Sequence, residues 1–414
     1  MSHGVRYGIM QADAGETKDV FQEQDLARPA VTHTHRRCGH MHYICLIGGA
    51  AMKRGIGLFL GLAVLCAAVL CAHAEEAKTY AGEPYEYVLL EDGSAKITRY
   101  MGDAVSLSIP FELDGHPVFA LGEDVFPKGL GVTSILIPAS VQQIGEGAFR
   151  FLDKLAATEV ISGNPVYASS QGVLFDKSQR LLHTYPSSRE GARYGVPRGI
   201  EAVAKSAFYQ CKYLESVYLP AGVSYIGGES FYGCRKLTDI RLPDTIRTIG
   251  GKAFAGCAGL TYMGIPASVT SIGPGIFIRC ENLEDIWVDE NNPAYASING
   301  VLVEKETKLL HTFLQKKAST VVRVPGGIKA IGPLAFSDCY GMKEVTVPSS
   351  VESVGEEAFA YCYNMTFIRL PGSVTVIGQN AFLDCIRLNM TVLEGSAAHV
   401  YAAENKIPFA LDGK

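Results

Sequence analysis

Residues 237–257 read Leu-Thr-Asp-Ile-Arg-Leu-Pro-Asp-Thr-Ile-Arg-Thr-Ile-Gly-Gly-Lys-Ala-Phe-Ala-Gly-Cys. Leu237, Ile240 and Leu242 carry the alternation of a short strand, with two side chains turned inward and their neighbours turned out. Pro243 ends that strand, because proline has no N–H for a ladder and fixes its own φ. Ile246 and Ile249 supply a second inward pair on a return arm. Gly250 reads as a corner with positive φ, which glycine adopts at least cost. Ala253-Phe254 and Cys257 then form a turn that drops a ring and a thiol inside.

The same frame recurs along the chain. Phe208, Phe231, Phe254 and Phe277 fall at one constant interval, each with Cys at plus three. Phe126 and Phe149 extend the series upstream and Phe336, Phe359 and Phe382 downstream, giving nine copies. A proline recurs at Pro138, Pro220, Pro266, Pro348 and Pro371, and the glycine at Gly145, Gly227, Gly273, Gly332, Gly355 and Gly378. One such unit buries too little apolar surface to offset the ordering of some twenty residues, so units are stable only as a stack.

Two gaps of equal length, Phe149 to Phe208 and Phe277 to Phe336, each hold one unit plus a long extra segment. They begin at Ile161 and Asp289, where the proline is missing. Their contents match at an offset of 128: Asn164-Pro165 with Asn292-Pro293, Gly172-Val173-Leu174 with Gly300-Val301-Leu302, and Leu182-His183-Thr184 with Leu310-His311-Thr312. Each reads as a β-hairpin projecting from the array, and the two histidines read as structural residues copied with their block.

The repeat L-x-x-I-x-[IL]-P-x-x-[VI]-x-x-I-G-x-x-A-F-x-x-C resembles the BspA-like leucine-rich repeat family of surface proteins. It covers Val118 to about Leu393, with Gly129 and Leu152 in the Cys place of the first two copies. The expected fold is a β-rich solenoid, a leucine-rich-repeat array of 23-residue units with two inserted β-hairpin segments, capped at both ends. The domain reading is a non-native extension or leader over 1–51, a secretory signal peptide over 52–74, an N-terminal β cap over 75–125, the solenoid over 126–393 with inserts at about 161–196 and 289–324, and a C-terminal cap over 394–414. Strands are expected at Tyr85 to Leu90, Lys96 to Tyr100 and Val105 to Ile109, and a short helix within Gly395 to Phe409.

Met52-Lys53-Arg54, the uncharged run Gly55 to Ala72 and the Ala72-His73-Ala74 site have the order of a secretory signal peptide. A membrane anchor is the alternative for this run. His33, His35, Cys38, His40, His42 and Cys45 match no standard metal-ligand spacing. Seven cysteines share one repeat position and read as small buried hydrophobes rather than disulfide partners.

The sequence holds 37 Lys and Arg against 42 Asp and Glu, interspersed, with a formal charge of −5. That balance argues against a nucleic-acid groove. No G-x-S-x-G, P-loop, H-E-x-x-H or dinucleotide fingerprint occurs, so no catalytic, cofactor or metal residue is assigned. Binding remains, and the outward strand rows offer Tyr218, Arg241, Tyr262, Trp287, Phe367 and Arg369, the residue types enriched at interface hot spots. Trp287 is the chain's single tryptophan. The resemblance implies a secreted or cell-surface protein that adheres to host or neighbouring-cell protein or matrix. A glycan-binding module stacking sugars on Tyr218, Tyr262 and Trp287, a structural envelope component and an enzyme with a cryptic site are the alternatives.

Overall fold

The computed structural model describes residues 84–412, together with the short strand Lys78–Thr79. The signal-peptide segment, the residues before it and the His/Cys cluster lie outside the described residues.

Each coil of the array contributes one short strand to a face and a second to a return arm, and both ladders are parallel. On the face, Ser216–Tyr218 pairs with Asp239–Arg241 in the register Ser216 to Asp239 and Tyr218 to Arg241, a step of one repeat. On the return arm Ala202–Val203, Tyr225–Ile226, Thr248–Ile249 and Ser271–Ile272 follow one another in the same way. The chain is thus a β-solenoid whose inward residues, Leu237, Ile246, Ile249, Phe254 and Cys257 among them, are fully buried.

The phenylalanines form a spine. Phe208 and Phe231 stack at 4.7 Å and 8°, Phe231 and Phe254 at 5.3 Å and 9°, and Phe359 and Phe382 at 5.1 Å and 2°. Each long gap contributes one further ring after its insert, because Tyr185 stacks on Phe208 at 5.1 Å and Phe313 on Phe336 at 4.8 Å. Both lie one repeat interval before their neighbours and fill the missing phenylalanine place. The cysteines sit beside the spine as free thiols, six buried and Cys385 half-buried. Cys234, Cys257 and Cys280 donate to the carbonyls of Phe208, Phe231 and Phe254 at 2.9, 3.1 and 3.1 Å, which satisfies a weak donor without a disulfide.

The recurring glycine is not the positive-φ corner its position suggested. Gly227, Gly250 and Gly273 have no positive φ; a Cβ there would lie 2.4, 2.3 and 2.2 Å from a backbone nitrogen of the preceding coil. The residue is glycine because two backbones touch. The left-handed position falls two residues later and is held mostly by ordinary residues: Glu229, Lys252, Leu334, Glu357 and Asn380, at φ between 50° and 59°.

The inserts also differ from expectation, for they do not project. In the first, Tyr167–Ser170, Val173–Asp176 and Leu181–Thr184 form an antiparallel meander whose last strand joins Ala202–Val203 in the return-arm ladder. Tyr295–Ile298, Val301–Glu304 and Leu309–Thr312 repeat this, joining Ala330–Ile331. The middle strand of each is buried on both faces. Leu174 packs with the N-terminal core while Val173 and Phe175 pack with the central one; Leu302 faces the central core while Val301 and Val303 face the C-terminal one. The interior is therefore three segments separated by two strand walls, not one column. The uninterrupted apolar runs after Gly172 and Gly300 are what a strand buried on both sides requires.

The Asn-Pro pair that opens each insert has a definite task. Asn164 Nδ2 donates to the carbonyls of Pro138 and Val141 at 2.9 and 2.8 Å, and its Oδ1 accepts from the Val166 and Tyr167 amides at 2.9 and 2.8 Å. Asn292 repeats all four bonds with Pro266, Val269, Ala294 and Tyr295. A buried amide with four partners fixes the departure point of the meander at little cost.

At the N-terminal end Tyr85–Leu89 and Ala95–Tyr100 pair antiparallel, and Ala95–Tyr100 runs parallel to His116–Leu121, which pairs in turn with Gln143–Ile144. Ser106–Ser108 lies beside Ser134–Ile137 as a strand of the face. At the other end the helix is Ala397–Glu404, with Ser396 accepting from the His399 amide at 3.2 Å, and a strand absent from the sequence reading, Phe409–Leu411, pairs with Asn389–Val392. Among the described residues no helix is long and apolar enough to cross a membrane.

Candidate functional site

The strand face brings four of the six candidate residues together. Tyr218 and Arg241 are neighbours in register, and Gly264 and Trp287 are the next such pair, with Tyr262 one outward place along from Gly264. Alternation turns all of these side chains to solvent, and Tyr218, Tyr262 and Trp287 are among the most exposed large side chains of the array.

Between the two pairs the face ladder is broken. Asp239–Arg241 closes a three-stranded sheet that starts at Arg193–Gly195, and Tyr262–Ile265 opens a separate one with Asp285–Val288. Two other breaks in the face coincide with the inserts, but no insert lies here. The coils stay joined on their other sides: Thr248–Ile249 pairs with Ser271–Ile272, and the Phe254 amide donates to the Ile276 carbonyl at 3.1 Å. They part only on the face, and the parting reaches the interior. Ile240 is 8% exposed where the equivalent Val217 and Met263 are 2% and 1%, and Leu242 is half-buried where Leu219 and Ile265 are buried.

The opening forms a cleft of about 450 Å³ lined by Asp239, Arg241 and Asp244 from one coil and by Tyr262, Trp287 and Asp289 from the two that follow. Ile240 and Leu242 give it an apolar bed. Trp287 leans across Gly264, where a Cβ would stand 3.7 Å from its indole Cε3 and 3.9 Å from Tyr262 Cε1. A side chain at 264 would pack in ordinary contact with both rings.

The other two candidates are elsewhere. Phe367 and Arg369 lie on Phe367–Arg369 in the sheet that follows the second insert. Arg369 is paired with Asp412, Nη2 to Oδ2 at 2.5 Å, so its guanidinium is engaged with the C-terminal strand region. Asp244, Asp289 and Leu242 were not singled out as site residues in the sequence reading. Their only signal was proximity in the repeat frame to Arg241 and Trp287.

The repeat itself settles kinship. Residues 119–170, 201–300 and 310–402 match the family described as BspA type Leucine rich repeat region, in six copies. The chain belongs to the BspA-type leucine-rich repeat family. Among solved structures the array is similar to a leucine rich cell surface protein from Faecalibacterium prausnitzii, 24% identical, covering 83% of this chain and 97% of that one with a TM-score of 0.49. It is also similar to the pneumococcal vaccine antigen PcpA, 19% identical, covering 77% and 82% with a TM-score of 0.44. No curated protein matches. Membership of the BspA-type family points to protein–protein contact or a role at a surface.

This BspA-type array also places its two copied histidines. Both are buried; His311 Nε2 donates to the Ile272 carbonyl at 3.0 Å, which leaves Nδ1 to accept from the Thr312 hydroxyl at 2.9 Å. His183 Nδ1 lies 2.8 Å from Thr184 Oγ1, and its ring meets Tyr167 edge-on at 5.8 Å. Burial pushes the His183 imidazole down to about 4 and lowers that of His311 as well. These are neutral core groups. In the unfolded chain a histidine titrates near ~6.5, so between that pH and about 4 the unfolded state holds more protons and stability falls as pH falls. The urea midpoint is expected to drop on going from neutral pH to about pH 4.5, by roughly 2–3 kcal/mol of unfolding free energy for His183. His183→Gln should flatten that slope; an unchanged slope refutes the assignment.

Proposed function

We propose that this chain is a secreted or surface-displayed adhesion protein that grips a protein partner on its strand face at Tyr218, Arg241, Tyr262 and Trp287, with no catalytic step. The partner is a protein or matrix component of a host or neighbouring cell, reached after export through the Met52–Ala74 segment. One observation carries the reading: the face ladder opens between Asp239–Arg241 and Tyr262–Ile265, beside exposed aromatic rings, at a place where no insert forces it open. Large aromatic and arginine side chains around a recess are what binding hot spots are made of. Family membership supports the same direction.

The test starts from protein exported by the native host, with its N-terminus expected at Glu75. That protein is challenged with extract of host or neighbouring cells beside Trp287→Ala and Tyr262→Ala variants. Each variant is expected to lose partner capture by roughly tenfold or more, the scale of an interface residue worth above 1 kcal/mol. Equal capture by all three proteins removes the strand face as the binding surface. A glycan array run with wild-type and Trp287→Ala protein separates sugar stacking from protein contact, since Tyr262 and Trp287 also suit a sugar ring.

A further inference from the structure

We infer that the cleft between Asp239–Arg241 and Tyr262–Ile265 receives one arginine or lysine side chain from an extended basic segment of the protein partner. The inference rests on the strand-face reading above and adds the chemistry of what enters.

Charge is the first argument. The lining sets three carboxylates, Asp239, Asp244 and Asp289, against the single guanidinium of Arg241. Acids just beyond the cleft are already neutralised by the second insert: Glu284 pairs with Lys316 at 3.5 Å and Asp285 with Lys317 at 3.6 Å. None of the three cleft aspartates has an ion-pair partner among the described residues. Asp239 accepts only a long bond from Ser216 Oγ at 3.3 Å, and Asp289 Oδ1 accepts from Asn291 in its own turn. The cleft thus presents three carboxylates without an ion-pair partner, unlike Glu284 and Asp285 beside it.

Shape and polarisability supply the second. A long cationic side chain is apolar along its stem and charged at its tip. Half-buried Leu242 and the slightly exposed edge of Ile240 line the cleft and offer the stem a bed. The Tyr262 and Trp287 rings offer faces to the tip, and neither carries a cation of this chain over it among the described residues. An acidic or neutral side chain would gain the bed and lose the rest. Arg241, at the mouth beside Tyr218, adds a repulsive element against cations placed anywhere but between the aspartates and the rings.

The single tryptophan makes the test local, because tryptophan emission of the full chain comes from Trp287, which lines the cleft. Titration with a capped hexa-arginine peptide at low salt is expected to change Trp287 emission saturably, while hexa-glutamine and hexa-glutamate peptides do not. In Asp239→Asn/Asp244→Asn/Asp289→Asn protein the apparent affinity should fall about tenfold or more, and about 0.5 M salt should weaken the wild-type titration similarly. Asp244→Asn alone, at an exposed position, should give a smaller loss and keeps the test available should the triple variant misfold. Equal responses to all three peptides, or curves unmoved by the substitutions and by salt, overturn the inference. Partner capture that needs Trp287 but not the aspartates would sink the cation while sparing the strand face. Capture indifferent to Trp287 would sink the strand face itself.

Discussion

Phe231→Ala is expected to lower the free energy of unfolding by about 3–5 kcal/mol, near the upper end for a single buried ring. The side chain is fully buried and lies almost parallel between Phe208 at 4.7 Å and Phe254 at 5.3 Å. Its removal takes away both contacts and leaves a space that the fold cannot close. The backbone on either side is fixed, because the Phe231 amide donates to the Ala253 carbonyl at 2.8 Å, the Cys257 thiol donates to the Phe231 carbonyl at 3.1 Å, and the return-arm ladder holds the coil spacing. Cavities that cannot collapse are the costly ones. Phe151 is the control. Its half-buried ring lies between Lys128 and Arg150 and meets Tyr209 edge-on at 6.3 Å, outside the spine, and Phe151→Ala should cost about 1 kcal/mol. Urea unfolding followed by circular dichroism compares the two. In a stack coupled only between neighbours, the Phe231 lesion should also split the transition in two, as the central core is divided at its middle. Equal losses for Phe231→Ala and Phe151→Ala would show that the spine does not hold the coils together.

The spine was legible because phenylalanine at a fixed interval leaves little room for another reading. A pattern that demands phenylalanine followed by cysteine passes over Tyr185 and Phe313, which have Ser188 and Lys316 at that place. The interval alone would have found them. The inserts were legible as strand pairs but not as walls, although the triplets Val173-Leu174-Phe175 and Val301-Leu302-Val303 lack the alternation of a strand with one wet face. The cleft was hidden for a different reason. A ladder's integrity depends on how neighbouring side chains share space across coils, and no periodicity reports that. Glycine in the outward row is not a sufficient signal, since Gly195 also faces outward and stays laddered to Tyr218. What distinguishes Gly264 is the pair of large rings that lean over it, an arrangement that appears only once Trp287 and Tyr262 have been placed.

Gly250→Ala is expected to destabilise the array by about 3 kcal/mol, the upper part of the range for overpacking, although it adds a single methyl group. The new Cβ would lie 2.3 Å from the Gly228 nitrogen, 2.6 Å from Gly228 Cα and 2.7 Å from the Gly227 carbonyl carbon. All three are backbone atoms, so no flexible side chain can swing away. The coils cannot part to relieve the clash either, since the Gly250 amide donates to the Ile226 carbonyl at 2.8 Å and the same bond recurs one coil earlier from Gly227 to Val203 at 2.9 Å. Two substitutions separate this cause from backbone preference. Gly256 sits at φ +73° with its nearest foreign atom 3.3 Å from the added carbon, so Gly256→Ala pays chiefly the left-handed penalty of about 1–2 kcal/mol. Gly131 has no positive φ and no atom within 4 Å of the added carbon, so Gly131→Ala should be neutral or stabilise by up to about 1 kcal/mol through the unfolded chain. The order of loss is therefore Gly250, then Gly256, then Gly131. A larger loss at Gly256 than at Gly250 would return the recurring glycine to the role of a conformational corner and withdraw the contact between coils as the reason it recurs.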